Sequence, residues 1–113
     1  MKYIYVLQDP VNKKVRYVGA TTNPKQRFRQ HLKDAEKDKK TAKTKKQLWI
    51  LELKKQGMLP EIKIIKKHDD LAQARKIEEE TVIEYIDTIY NLHMPGKGSL
   101  SVKHYKKTGK LKD

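Results

Sequence analysis

Cysteine is absent from the 113 residues, which excludes disulfides and thiolate zinc sites. The four histidines are scattered, without a metal-ligand spacing such as His-x3-His. No apolar run approaches the ~20 residues of a membrane span. The first residues read as a strand and not as a signal peptide. These absences lead us to expect a soluble, cytoplasmic protein with no membrane partner. Acidic residues are scarce, with 14 Asp/Glu against 27 Lys/Arg and a net charge of +13. The length allows one domain with one modest core. Aromatic rings come almost entirely from tyrosine, with one Trp and one Phe against six Tyr.

The charge excess predicts a polyanionic partner, most often nucleic acid. Its distribution strengthens that expectation. Between Asn23 and Lys46 ten basic residues face three acids, and the tail from Lys97 adds six lysines and one acid. The segment Asp69–Asp87 runs the other way, with Asp69, Asp70, Glu78, Glu79, Glu80, Glu84 and Asp87. A uniform solubilising coat would not separate the signs in this way. Phosphate contacts are expected from Lys14, Lys25, Arg29, Lys33, Lys45 and Lys46.

Lys2–Leu7 is a β-branched and aromatic run, and Val15–Ala20 is a second. The turn between them carries Asp9-Pro10 and Asn12-Lys13-Lys14, so the two form a hairpin with a loop longer than the tightest type. Gly19 marks a close backbone approach or a twist. Asn23-Pro24 starts a helix, with Asn as cap and Pro in the first turn, and Phe28, Leu32 and Ala35 share its apolar face. Glu36–Lys43 is polar, a loop or frayed helix. A second helix covers Lys45–Gln56 and stops at Gly57, with Trp49 in or at the edge of the core. Glu61–Lys67 is a third strand, and Asp69 or Asp70 caps a third helix running to Asp87. Met94–Gly98 is a breaker cluster; the tail beyond it is weakly patterned, with Val102 and Tyr105 as candidate docking side chains. The order β-β-α-α-β-α describes an α+β domain, a small three-stranded antiparallel sheet flanked by helices. Residues 1–96 form the domain, and 97–113 a basic tail.

Two tyrosine triplets, Tyr3-Ile4-Tyr5 and Tyr17-Val18-Gly19, stand at the head of the chain, and Arg27 and His31 follow at i and i+4 on one helical face. Phenol, guanidinium and imidazole handle protons and phosphate charge, which is what phosphodiester hydrolysis requires besides a divalent metal. Phe28 and Leu32 would pack this helix down and hold Arg27 and His31 at its rim. Tyr5 has the strand parity of Tyr3, but the loop register is not fixed by sequence. On the third helix, Leu71, Ala74, Val82, Tyr85 and Ile89 form an apolar stripe. At about 100° per residue, Glu78 falls inside it, Glu79 at its edge and Glu80 opposite. A carboxylate near an apolar face is costly unless paired or metal-bound, so pattern alone leaves Glu78 and Glu79 as candidates.

This ordered set resembles the GIY-YIG nuclease family over Met1–Gly96. The resemblance implies a metal-dependent DNA endonuclease using Mg²⁺ or Mn²⁺ held by a single Glu. It assigns catalytic roles to Tyr5, Tyr17, Arg27, His31, Glu79 and Asn91. Glu79 is preferred because the family's metal Glu is followed by a bulky apolar pair at its third and fourth following positions, here Val82-Ile83. Tyr90-Asn91 resembles the family's closing Tyr-Asn, and Tyr3 stands where the first motif has glycine. One phenol, of Tyr5 or Tyr17, would act as general base, with Lys14 a candidate to ease its ionisation. Nothing resembles the separate sequence-reading module that homing endonucleases of the family often append. Double-stranded DNA is the expected partner, and the protein a monomer or weak dimer. The alternatives are a structure-specific repair-type nuclease and a non-catalytic DNA-binding protein of the same fold.

Overall fold

The computed structural model describes residues 1–36 and 44–91. The polar stretch 37–43, the breaker cluster and the basic tail lie outside the described residues. In chain order the elements are β1 (Lys2–Gln8), β2 (Val15–Thr21), α1 (Pro24–Glu36), α2 (Lys45–Lys55), β3 (Glu61–His68) and α3 (Leu71–Glu84). The strands form one antiparallel sheet in the order β2-β1-β3. This is the expected α+β architecture with β1 central, so β1 is the strand that reads as a continuous buried run.

Local chemistry sets the boundaries. Asp9 Oδ1 accepts from the backbone N–H of Val11 and Asn12, and Lys13 adopts φ 60°, closing the β1–β2 loop. The side chain of Asn23 accepts from Gln26 N–H at the start of α1. Thr44 and Gln47 form a reciprocal capping box on α2. Gly57, at φ 76°, ends α2 in a Schellman arrangement, with Gly57 N–H on Lys54 O and Met58 N–H on Leu53 O. Asp70 caps α3 by accepting from the N–H groups of Ala72 and Gln73.

The sheet separates two interiors. Ile4, Val6 and Val18 point to one face, where they cluster with Val15, Ala74, Val82 and Ile89. Tyr5 and Leu7 point to the other, towards α1 and α2, where Ala35, Ile50 and Leu53 are also buried. One side chain departs from the expected pattern. Leu71 is 66% exposed and not part of the α3 stripe, because it sits in the first turn, clear of the sheet. Ile64 and Ile65 are about half exposed on the edge strand β3.

Candidate active site

Strand register decides which tyrosines meet. Tyr5 pairs with Gly19 and Leu7 with Tyr17, so Tyr5 and Tyr17 share a face. A bulge between Leu7 and Gln8 leaves Arg16 as the extra residue on β2, which is why the register could not be counted through the loop. The Tyr5 ring lies flat across Gly19. A Cβ at that position would fall 2.5 Å from the Tyr5 Cζ and Oη atoms. The glycine of the second triplet is therefore required by the tyrosine of the first.

His31 faces inward from α1. It is fully buried, whereas Phe28 and Leu32 are only partly so. This reverses the expectation that the two apolar residues would bury the helix and leave His31 at its rim. The imidazole can be buried because both ring nitrogens find partners. Nε2 lies 2.6 Å from the Tyr5 hydroxyl, and Nδ1 lies 3.0 Å from Lys46 Nζ on α2. Its ring meets Tyr17 edge-on at 4.9 Å between centroids, and the two tyrosine rings are 6.3 Å apart. Lys46 Nζ in turn lies 4.6 Å from the centre of the Tyr17 ring.

Burial opposes the ionisation of both phenols. Tyr5 is pushed well above its ordinary value by desolvation, then by Tyr17, with Arg27 opposing. Tyr17 is raised by burial too, again with Arg27 opposing. The guanidinium lies close enough to interact with both phenol oxygens. Burial, then Lys46, then Arg27 push His31 down to about 3, so the imidazole is neutral at physiological pH. Lys46 is itself lowered by burial and by Arg27.

From α3, Glu78 is the carboxylate whose charge acts on both phenols. Burial raises it above the usual carboxylate range, and Lys2 and Arg75 only partly offset this. Glu79, one residue further on, is partly exposed, as is Glu78. Among the described residues no three His, Cys, Asp or Glu side chains gather as a metal cage. The donor set at the tyrosines is hard oxygen from one carboxylate, which suits a cation such as Mg²⁺ that keeps most of its waters.

Asn91 does not enter the cluster. Its side chain accepts from Val18 N–H at 3.0 Å and donates to Val18 O at 2.8 Å, and Tyr90 N–H donates to Arg16 O. It holds β2, and with it Tyr17 and Gly19, from behind. Trp49 is engaged structurally, donating to Asp9 Oδ2 and meeting Tyr90 edge-on. Lys14 is exposed in the hairpin loop, and the charges acting on Tyr17 are those of Arg27 and Glu78. Lys25, Arg29, Lys33 and Lys45 are also exposed. Lys25 and Arg29 line an open groove with Tyr3, Phe28, Ile62 and Ile64. Lys46, expected on a phosphate, is turned into the tyrosine cluster instead.

A family model for the GIY-YIG catalytic domain matches residues 1–85. The chain belongs to the GIY-YIG family. Nuclease activity follows in general terms, and nucleases of this family act on DNA. No curated protein and no solved structure matches the chain. No helix among the described residues is long and apolar enough to cross a membrane. What sequence reasoning missed in this GIY-YIG site is Lys46 as a member of the cluster. A signal was present: Lys46 shares a helical stripe with Ile50 and Leu53, at i, i+4 and i+7, both buried.

Proposed function

We propose that this GIY-YIG domain is an endonuclease that hydrolyses phosphodiester bonds of double-stranded DNA, with Tyr17 as general base and Arg27 as the cation facing the reacting phosphate. The observation that carries this reading is the packing of two phenols, one imidazole and one guanidinium at the sheet face. Tyr17 is favoured over Tyr5 as the base because it is partly exposed, whereas Tyr5 is wholly buried. A general base must reach a solvent water. Arg27, beside both phenols, favours phenolate and then stabilises charge on the phosphate. His31, neutral and held at both nitrogens, orients Tyr5 beneath Tyr17. Asn91 supports the strand that carries Tyr17.

The divalent cation, Mg²⁺ or Mn²⁺, would be held by a carboxylate of α3. Its chemistry there is stabilisation of charge on the phosphate and the leaving oxygen. Electrostatics favour Glu78, a half-buried carboxylate whose charge is felt by both phenols. Spacing to Val82-Ile83 favours Glu79, and that reading is kept as the second. Exposed Lys25, Arg29, Lys33 and Lys45 hold the duplex through its phosphates.

Plasmid incubated with the protein is expected to be nicked or linearised with Mg²⁺ and left intact with EDTA. A wild-type protein that binds but never cuts would leave only the binding-protein reading. Arg27→Ala should slow cutting by about 10²–10³-fold, and Tyr17→Phe more than Tyr5→Phe. Glu78→Gln and Glu79→Gln separate the two carboxylates: the ligand is the one whose loss abolishes metal-dependent cutting while DNA binding persists.

A further inference from the structure

The α2 helix begins against its own electrostatics. Its first turn holds no acid and starts Lys45-Lys46, although cations are disfavoured at the positive end of a helix. Lys45 is exposed, but Lys46 is half-buried in a stripe where its companions are Ile50 and Leu53. A phosphate-binding lysine would not need that position. Its placement is well held: Gln47 Nε2 donates to Asp34 O, tying the start of α2 to α1, while the Gln47–Thr44 box fixes the turn.

We infer that Lys46 is a positioning residue that fixes the tautomer of His31 and thereby the direction of the His31–Tyr5 hydrogen bond. The argument is one of donor and acceptor counting. An ammonium only donates, and a neutral imidazole carries one N–H and one lone pair. Lys46 Nζ is 3.0 Å from Nδ1, so Nδ1 holds the lone pair and Nε2 the proton. His31 Nε2–H then donates to the Tyr5 oxygen at 2.6 Å. The Tyr5 proton is left free of His31, and its oxygen receives His31 while also facing Arg27. Hydrogen bonds donated to a phenol oxygen favour its ionised form. With no ammonium at Nδ1 the imidazole is free to turn over electronically: Nε2 would accept from the Tyr5 O–H and hold its proton in place. The same Lys46 ammonium lies over the Tyr17 ring, so one cation touches both tyrosine-bearing arms of the cluster.

The groups facing this relay are Tyr5 from β1, Tyr17 from β2, Arg27 and Asp34 from α1 and Glu78 from α3. The tautomer follows from the Nζ–Nδ1 contact and the donor count of a charged lysine and a neutral imidazole. Its consequence for rate rests on the nuclease reading above, and the two are measured separately. Long-range ¹H–¹⁵N correlation of the imidazole in the metal-free full chain reads the tautomer. Wild-type His31 should show Nε2–H with an unprotonated Nδ1. Lys46→Met keeps the stem and removes the donor; an Nδ1–H signal should appear. Lys46→Arg restores a cationic donor and should return Nε2–H. Plasmid cutting by Lys46→Met should fall by about 10-fold to 100-fold, at or below the range for a lost acid–base group. The fall should lie in kcat and not KM, because a re-aimed Tyr5 no longer orients its neighbour Tyr17, and Lys46→Arg should recover part of it. Wild-type His31 in the Nδ1–H form, or Nε2–H retained in Lys46→Met, overturns the inference. The expected tautomers in a protein that never cuts DNA support it and sink the nuclease reading instead.

Discussion

The two faces of the sheet are built from the same three strands but by opposite rules. On the α3 face, Ile4, Val6 and Val18 meet Ala74, Val82 and Ile89, and burial of apolar area is the main term. On the α1–α2 face, Tyr5, Tyr17, His31 and Lys46 are brought together, and each polar atom removed from water needs a partner. The first face is expected to absorb changes of volume so long as α3 keeps its carboxylates in place. The second has its stability and its proposed reactivity in the same bonds. Central β1 serves both, alternating Ile4 and Val6 with Tyr5 and Leu7.

That contrast can be broken from either side. The largest effect is expected from Ile4→Ala on the dry face, which should cost about 2–5 kcal/mol in urea unfolding. The fraction that remains folded should cut DNA at the wild-type rate; a slower folded fraction would mean the faces are coupled. Gly19→Ala strikes the polar face, since its Cβ must displace the end of the Tyr5 ring. Overpacking of this kind costs about 1–3 kcal/mol, and here the loss of activity should outlast any rescue of stability by lower temperature.

A pH series sharpens the comparison further. His31 is held down to about 3 in the folded state against 6.5 in an ordinary imidazole. Between those values the unfolded chain binds the extra proton. Its contribution to stability is therefore complete above about pH 6.5 and is lost as pH falls towards 3. Lowering the pH from 6.5 to 5 should cost about 2 kcal/mol, and His31→Gln should remove that part of the slope, whereas Ile4→Ala should keep it. The smallest effect belongs to the exposed cations. Lys45→Ala should reduce the salt dependence of DNA binding by about one unit of slope with little effect on rate. Its neighbour Lys46 should do the reverse.

Most of the architecture was legible because its signals are local. Asn23-Pro24, Gly57 and Asp70 mark helix ends through hydrogen bonds made within a few residues. The pairing of Tyr5 with Gly19 was not legible, because the Leu7–Gln8 bulge inserts a residue that no composition rule announces. The site was half legible. Tyr5, Tyr17, Arg27 and His31 could be read as a set, yet His31 was expected at a rim and is buried. The inward turn of Lys46 depends on a tertiary tie, Gln47 to Asp34, between two helices. A common thread joins what was missed to what was left open. His31 lies four residues before buried Ala35, Lys46 four before buried Ile50, and Glu78 midway between buried Ala74 and Val82. In each helix, a titratable side chain occupies a place in the apolar stripe, where its burial must be repaid by a partner.

Asn91 and Tyr90 have a last effect, on what the sheet can join. By meeting Val18 and Arg16 along the free side of β2, they use up hydrogen-bonding groups that an open edge would offer to another chain. The opposite border, β3, carries Lys63, Lys66 and Lys67, whose like charges oppose edge-to-edge approach of a second copy. Both features disfavour merging the sheets of two such domains. If both strands of a duplex are to be cut, the second cut requires a contact through the helices or a second visit by the same molecule.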